Sequence, residues 1–234
     1  VFQHSEYRED PLGRLSRTSS YVTSVAYGSM PEVKLAVRRV RGAHRPVSGT
    51  SERGRPYSAD QEELAAWVHN ALTDSFLTSY RIFGRAPLSE KDADRFVEEQ
   101  TNVGALLDAN PLPGTAATLA SWVEAHPDLG GSPGLVGAIE FLKSPPLRPA
   151  LKAGYKIMFW AASATTPERI RDVLGIRSYP GAITAGRVLI KILRWAMGAS
   201  PSWKLALMRI DADIPEHLFT QELPIGESGH WKSH

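Results

Sequence analysis

The stretch DQEELAAWVHNALTDSFLTSYRIF, residues 60–83, decides the fold. Its apolar residues recur three and four apart throughout, with no Gly or Pro to interrupt them, which is the pattern of a long amphipathic helix and not of a strand. Ser58 and Asp60 are rival caps at its start, backed by Gln61 and Glu63 at the reciprocal positions, and Gly84 and Pro87 stop it. Setting successive residues about 100° apart places His69 at the edge of an apolar arc with Ala65, Leu72 and Phe76. Glu63, Asn70, Asp74 and Arg81 collect on the opposite face. His69 is therefore expected to point inward.

Working outward, the same periodicity repeats along the chain and strand alternation is almost absent. A helix from Pro31 to His44 opens with Ser29 and Glu32 at capping-box spacing and with Pro31 in its first turn, where a missing N–H costs nothing. Further helices are expected near Pro11–Tyr27, Ser89–Leu107, Thr115–Ala125, Pro133–Leu142, Leu147–Ala162, Pro167–Leu174, Ala182–Met197 and Pro201–Met208. These ten elements predict an all-α fold. We expect one helical domain over residues 1–215 and a tail over residues 216–234, where the sequence turns polar and aperiodic.

Composition narrows the function. The 234 residues are enough for one sizeable core, and 27 Lys and Arg against 25 Asp and Glu leave a formal charge of only +2, which gives no support for a nucleic-acid partner. The absence of cysteine removes disulfides, thiolate metal sites and cysteine nucleophiles. No apolar run is long enough to span a membrane, since Gly181–Met197 is broken by Arg187, Lys191 and Arg194. Those three cations read as a solvated face, with an acidic membrane surface as the alternative. We expect a soluble, cytoplasmic protein. The spacings of di-iron carboxylate bundles, zincins, serine-hydrolase elbows and the common nucleotide cradles do not occur.

Histidine is what remains for chemistry. His4, His217, His230 and His234 lie in terminal segments and His126 precedes Pro127 at a helix end, so solvated or capping roles are expected for all five. His44 falls among Val33, Val37 and Val40 on the apolar stripe of its helix, and His69 points inward from the next. Two readings stay open for this pair. Each is either a core histidine bonded to a backbone carbonyl, or one of two imidazoles facing a flat apolar cofactor such as haem, where a neutral nitrogen ligates iron. Lys34, Arg38, Arg41 and Arg45 form a strip beside the His44 stripe, with Arg39 on its other side. The strip is either a solvated basic face or a holder of haem propionates, with Arg41 the nearest to the stripe.

The segments Gln3–Leu15 (QHSEYREDPLGRL), Arg38–His44 (RRVRGAH), Gly54–Asp60 (GRPYSAD) followed by Trp67–His69 (WVH), and Pro87–Ser89 (PLS) leading to Glu98–Gln100 (EEQ) resemble, in order and spacing, the catalytic domain shared by MpaB-type oxygenases and bacterial rubber oxygenases, also called latex clearing proteins. The likeness covers most of the chain and is greatest to an actinobacterial branch. It implies a globin-like helical core, haem b, dioxygen and an apolar, isoprenoid-like small-molecule substrate. It also implies that His69 is the axial ligand and iron-binding residue, and that Arg38, Arg39 and His44 lie on the catalytic, distal side. Where the rubber oxygenases carry a Lys and a Thr this chain has Arg38 and Arg39, and an Arg keeps its proton and cannot serve as a base. That difference separates the chain from polyisoprene cleavage itself. The family pattern begins with a helix ahead of the segment matching Gln3, so an upstream element is expected. The alternatives to a haem oxygenase are a helical binding protein without haem, and a haem protein that binds gas or acts as a peroxidase.

Overall fold

The computed structural model describes residues 8–198 and 200–213. Ten helices occur among them: α1 (Pro11–Tyr27), α2 (Met30–His44), α3 (Glu62–Phe83), α4 (Glu90–Ala105), α5 (Ala116–Ala125), α6 (Pro133–Lys143), α7 (Pro149–Thr165), α8 (Glu168–Leu174), α9 (Ala182–Met197) and α10 (Pro201–Arg209). The all-α expectation holds. The Ser29–Glu32 capping box forms as read, with the Ser29 amide donating to Glu32 Oε2 at 2.5 Å. The start of α3 differs. Neither Ser58 nor Asp60 caps it; Gln61 is the N-cap, and its side-chain carbonyl instead accepts from the Ser58 amide at 3.2 Å.

A hairpin was not legible in the sequence. Strands β1 (Ser48–Thr50) and β2 (Pro56–Ser58) pair antiparallel, with Gly49 opposite Tyr57, inside the Arg/Gly/Ser/Pro-rich stretch that lacks alternation. Its turn works as a clamp. Arg53 donates to the Asp128 carbonyl at 3.0 Å, while both Glu52 carboxylate oxygens accept from the Gly134 amide, at 3.1 and 3.0 Å, in the first turn of α6. A carboxylate there meets the positive end of the helix dipole, and the Gly134 and Ser132 hydrogen bonds hold its pKa below the usual glutamate value.

Helix α3 is the axis of the main body, packing on α4, α5 and α9, while α1 packs on α2 and α10. The central core joins Leu77 of α3 to Ala93 and Val97 of α4 and to Ala116, Leu119 and Val123 of α5. The buried stripe of α3 is Ala66, Asn70, Thr73 and Leu77, spaced at four, three and four residues. The buried face is turned from the predicted one, although His69 is half-buried and Glu63 and Arg81 are exposed as read. Asn70 is 2% exposed, whereas Val68 is 57% and Phe76 45% exposed. Small and self-satisfied polar residues occupy the side that neighbours approach closely. Asn70 Nδ2 donates to the Pro111 carbonyl at 3.0 Å and Thr73 Oγ1 to the His69 carbonyl at 2.9 Å, so neither leaves a buried polar group unpaired.

The basic residues of α9 also have work inside the molecule. Arg187 Nε donates to the Ile82 carbonyl at 3.2 Å and Arg194 Nη2 to the Phe83 carbonyl at 2.8 Å. They satisfy the orphan carbonyls at the C-terminus of α3, where a cation is favoured by the dipole. Of the three, Lys191 keeps the solvated role expected for all. No helix among the described residues is long and apolar enough to cross a membrane.

Candidate functional site

His69 lies in the middle of α3 on the flank turned to α4, half-buried. Burial pulls its pKa below that of a free histidine, and a hydrogen bond to the Gln100 backbone carbonyl pulls weakly the other way. The imidazole is thus held neutral. Its Nε2 lies 3.5 Å from Thr73 Oγ1, too far for a firm bond, and Thr73 already donates to its own helix. The edge of the ring rests on α4. A Cβ placed on Gly104 would stand 2.8 Å from His69 Cδ2, 3.0 Å from Nε2 and 2.6 Å from Leu112 Cδ2. Only glycine at that position lets the two helices approach so closely.

The α2 residues do not join this arrangement. His44 ends α2 and is exposed, contrary to the inward placement read from its stripe. The stripe fades because α2 buries only Val33 and Val37, and its last turn is exposed, tied to a neighbour through Arg41. Arg38 and Arg39 are exposed too. Arg41 is engaged elsewhere: it pairs with Asp108 at 2.7 Å and donates to the Leu106 carbonyl at 2.9 Å, tying α2 to the end of α4. No hydrogen bond or ion pair among the described residues links α2 to His69. His126 caps the C-terminus of α5, as expected, but it also packs against Trp67, tilted, and Trp122, edge-on, its ring centroid 4.7 and 4.9 Å from theirs. His4, His217, His230 and His234 lie outside the described residues, as does the expected tail over 216–234.

Sequence reasoning missed the cavity. A space of about 700 Å³ lies between α3, α5, α7, α8 and α9, within the range of small-molecule sites. Ala71, Val123, Ala161, Ile170, Leu174 and Ile190 supply an apolar wall, and the exposed Phe76, Tyr80 and Met158 form its rim. Gly186 permits the close crossing of α9 on α7, since a Cβ there would stand 2.7 Å from Ala161 Cβ. His69 does not line this space; it looks to the other flank of α3. Asp74 does line it. Half-buried, its carboxyl has a pKa raised first by burial and then by Glu124, against the opposing pull of Arg81. The helical positions of Ala71, Asp74 and Thr78 would have shown a shared face, but nothing in the sequence shows that five helices leave a gap beside it.

A haem needs a clear face beside its axial imidazole. His69 suits the role chemically, being neutral with a backbone carbonyl as a polar partner. The space does not suit it, because Gly104 stands against the edge that carries Nε2 so closely that even a Cβ there would come within 3.0 Å of it. As arranged in this structure, the residues around His69 do not fit the group. Among the described residues no cluster of three or more His, Asp or Glu stands ready for a protein-ligated metal ion.

The chain belongs to the family of the ER-bound oxygenase mpaB/B′/rubber oxygenase catalytic domain, which matches residues 1–195. The match takes in α1 to α8 and nearly all of α9, and so both the α3–α4 contact and the cavity. No curated protein and no solved structure matches the chain.

Proposed function

We propose that the domain oxidises an apolar small molecule with dioxygen, and that the substrate lies in the cavity between α3, α5, α7, α8 and α9. Membership of the oxygenase family supports the reaction class. The observation that carries the substrate class is the apolar wall of a cavity of about 700 Å³ with one half-buried carboxyl in it. A space of that size accommodates a molecule of isoprenoid dimensions. Aerobic incubation of the full chain with unsaturated isoprenoids under isotopic dioxygen, read by mass spectrometry, tests this. Labelled carbonyl or hydroxyl products are expected; reversible oxygen binding without product would indicate a gas-binding protein instead.

Haem b with His69 as its axial ligand is the cofactor the family likeness supports, but His69 faces the flank of α3 away from the cavity, so a substrate there meets such a haem only if the helices rearrange. The neutral imidazole supports this ligation, and so does the likeness of the WVH segment to the rubber oxygenases. Iron reaches Nε2 only if α4 withdraws Gly104 from the ring, so haem uptake should be accompanied by a rearrangement of the α3–α4 contact. Arg38, Arg39 and His44 would belong to the distal side and Arg41 to a propionate only after a comparable movement of α2. A second reading is favoured by the Gln100 hydrogen bond and the Gly104 contact: His69 is a structural link between α3 and α4 in a protein that binds an apolar ligand without redox chemistry. A colourless protein after growth with haem precursor would select that reading.

A further inference from the structure

The polar groups around the cavity are unequally engaged. Ser75 donates its hydroxyl proton to the Ala71 carbonyl at 2.7 Å, and Thr165 and Thr166 both donate to the Ala162 carbonyl at 2.9 Å. Arg194 donates to the Phe83 carbonyl at the end of α3. Arg81, the cation that acts on Asp74, is paired with Glu90 at 2.7 Å. Asp74 is the charged side chain of the lining that accepts no hydrogen bond from any described residue; the Thr78 and Ser79 hydroxyls also line the space. Half-buried, its carboxyl is left to water, and a ligand that displaces that water gains specificity by supplying a hydrogen bond in its place.

The geometry points to an apolar alcohol as the ligand of this cavity, its hydrocarbon body against Ala71, Val123, Ile170 and Ile190 and its hydroxyl on the Asp74 carboxyl. A hydroxyl is suited to this place because it donates to an ionised carboxylate and accepts from a protonated one. A carboxylate ligand would meet Asp74 with Glu124 behind it and be repelled, and a plain alkane would leave Asp74 unpaired. An amine depends on Asp74 being ionised, whereas a hydroxyl meets the carboxyl in either state. This inference deepens the proposed substrate class and rests on the cavity being the substrate site, but it needs neither haem nor turnover.

The experiment is direct binding of 1-decanol, decane, decanoate and decylamine to the full chain by isothermal titration calorimetry, repeated on Asp74→Asn and Asp74→Leu. Decanol should bind once per chain and at least about tenfold more tightly than the other three, where each factor of ten is about 1.4 kcal/mol. Asp74→Asn should keep most of that preference, since an amide also donates and accepts, and Asp74→Leu should abolish it while decane binds as well as before or better. Equal affinity for decanol and decane, tighter binding of decanoate or decylamine, or an unchanged preference in Asp74→Leu would each overturn the assignment. Thermal unfolding of both variants shows that the cavity is intact, and Asp74→Asn, which preserves shape, decides if Asp74→Leu does not fold. Selective decanol binding together with no oxygen incorporated into the unsaturated isoprenoids would refute the oxygenase reading and leave the alcohol site standing.

Discussion

The imidazole of His69 and the missing side chain of Gly104 are fitted to one another: a Cβ on Gly104 would stand 2.8 Å from His69 Cδ2 and 3.0 Å from Nε2. The glycine therefore measures how tightly α4 holds the histidine. Gly104→Ala should overpack the contact and destabilise the fold by roughly 1–3 kcal/mol. Gly42→Ala, in α2 with nothing within 4 Å of the new Cβ, should instead gain about 0.5–1 kcal/mol through helix propensity. Urea unfolding of the two variants tests the contrast, and equal effects would mean that α4 does not rest on His69.

His69 should titrate below the ordinary histidine value, because burial disfavours its cation. The unfolded chain then takes up the proton first as pH falls. The stability tied to the neutral ring is complete above the unfolded pKa of about 6.5 and is lost as pH drops through the folded pKa. Proton NMR of the imidazole signals, assigned through His69→Gln, checks the direction; titration at or above the free value would contradict the buried placement.

Asn70 reaches across to the loop after α4, and its amide is the recorded partner of the Pro111 carbonyl. Asn70→Leu is close in volume but removes the donor. It should cost about 0.5–1.5 kcal/mol in thermal or denaturant unfolding, the net worth of an ordinary hydrogen bond, since Pro111 itself is exposed. A neutral outcome would show that water reaches Pro111.

Arg194 closes α3 from α9 through the Phe83 carbonyl and is itself half-buried. Its loss in Arg194→Ala should destabilise by roughly 1.5–3 kcal/mol, the range for a hydrogen bond to a charged group. Lys191→Ala, one turn away and exposed, should fall within about 0.5 kcal/mol of the parent. Similar effects at both positions would mean that the cations act only through net charge.

The helices were legible because each carries its own period and punctuation: Ser29 and Glu32 formed the expected box, and α1 and α9 begin and end where Pro11, Tyr27, Ala182 and Met197 were read. What a helix packs against was less legible. On α3 the wheel put Asn70 and Asp74 on an outer face and Leu72 and Phe76 inward, yet Asn70 is buried, Asp74 lines a cavity, and Leu72 and Phe76 are exposed. Local periodicity ranks side chains by polarity, whereas close helix approach selects small or self-satisfied ones such as Ala66 and Thr73. His44 was misplaced for a related reason, since a stripe is buried only as far as a neighbour follows it. The β1–β2 hairpin is too short for alternation to show, and it is held by Arg53 and Glu52 through contacts near Asp128 and Gly134, far along the chain.

In the proposed function His69 takes up haem only once α4 releases its Nε2 edge, and titration of the full chain with haem b, followed by absorption spectroscopy, tests this most directly. The account predicts a Soret band that saturates at one haem per chain, shifts on reduction and on CO binding, and is lost in His69→Ala with the far-UV circular dichroism unchanged. A chain that gains no Soret band, or a His69→Ala variant that takes up haem like the parent, would contradict it.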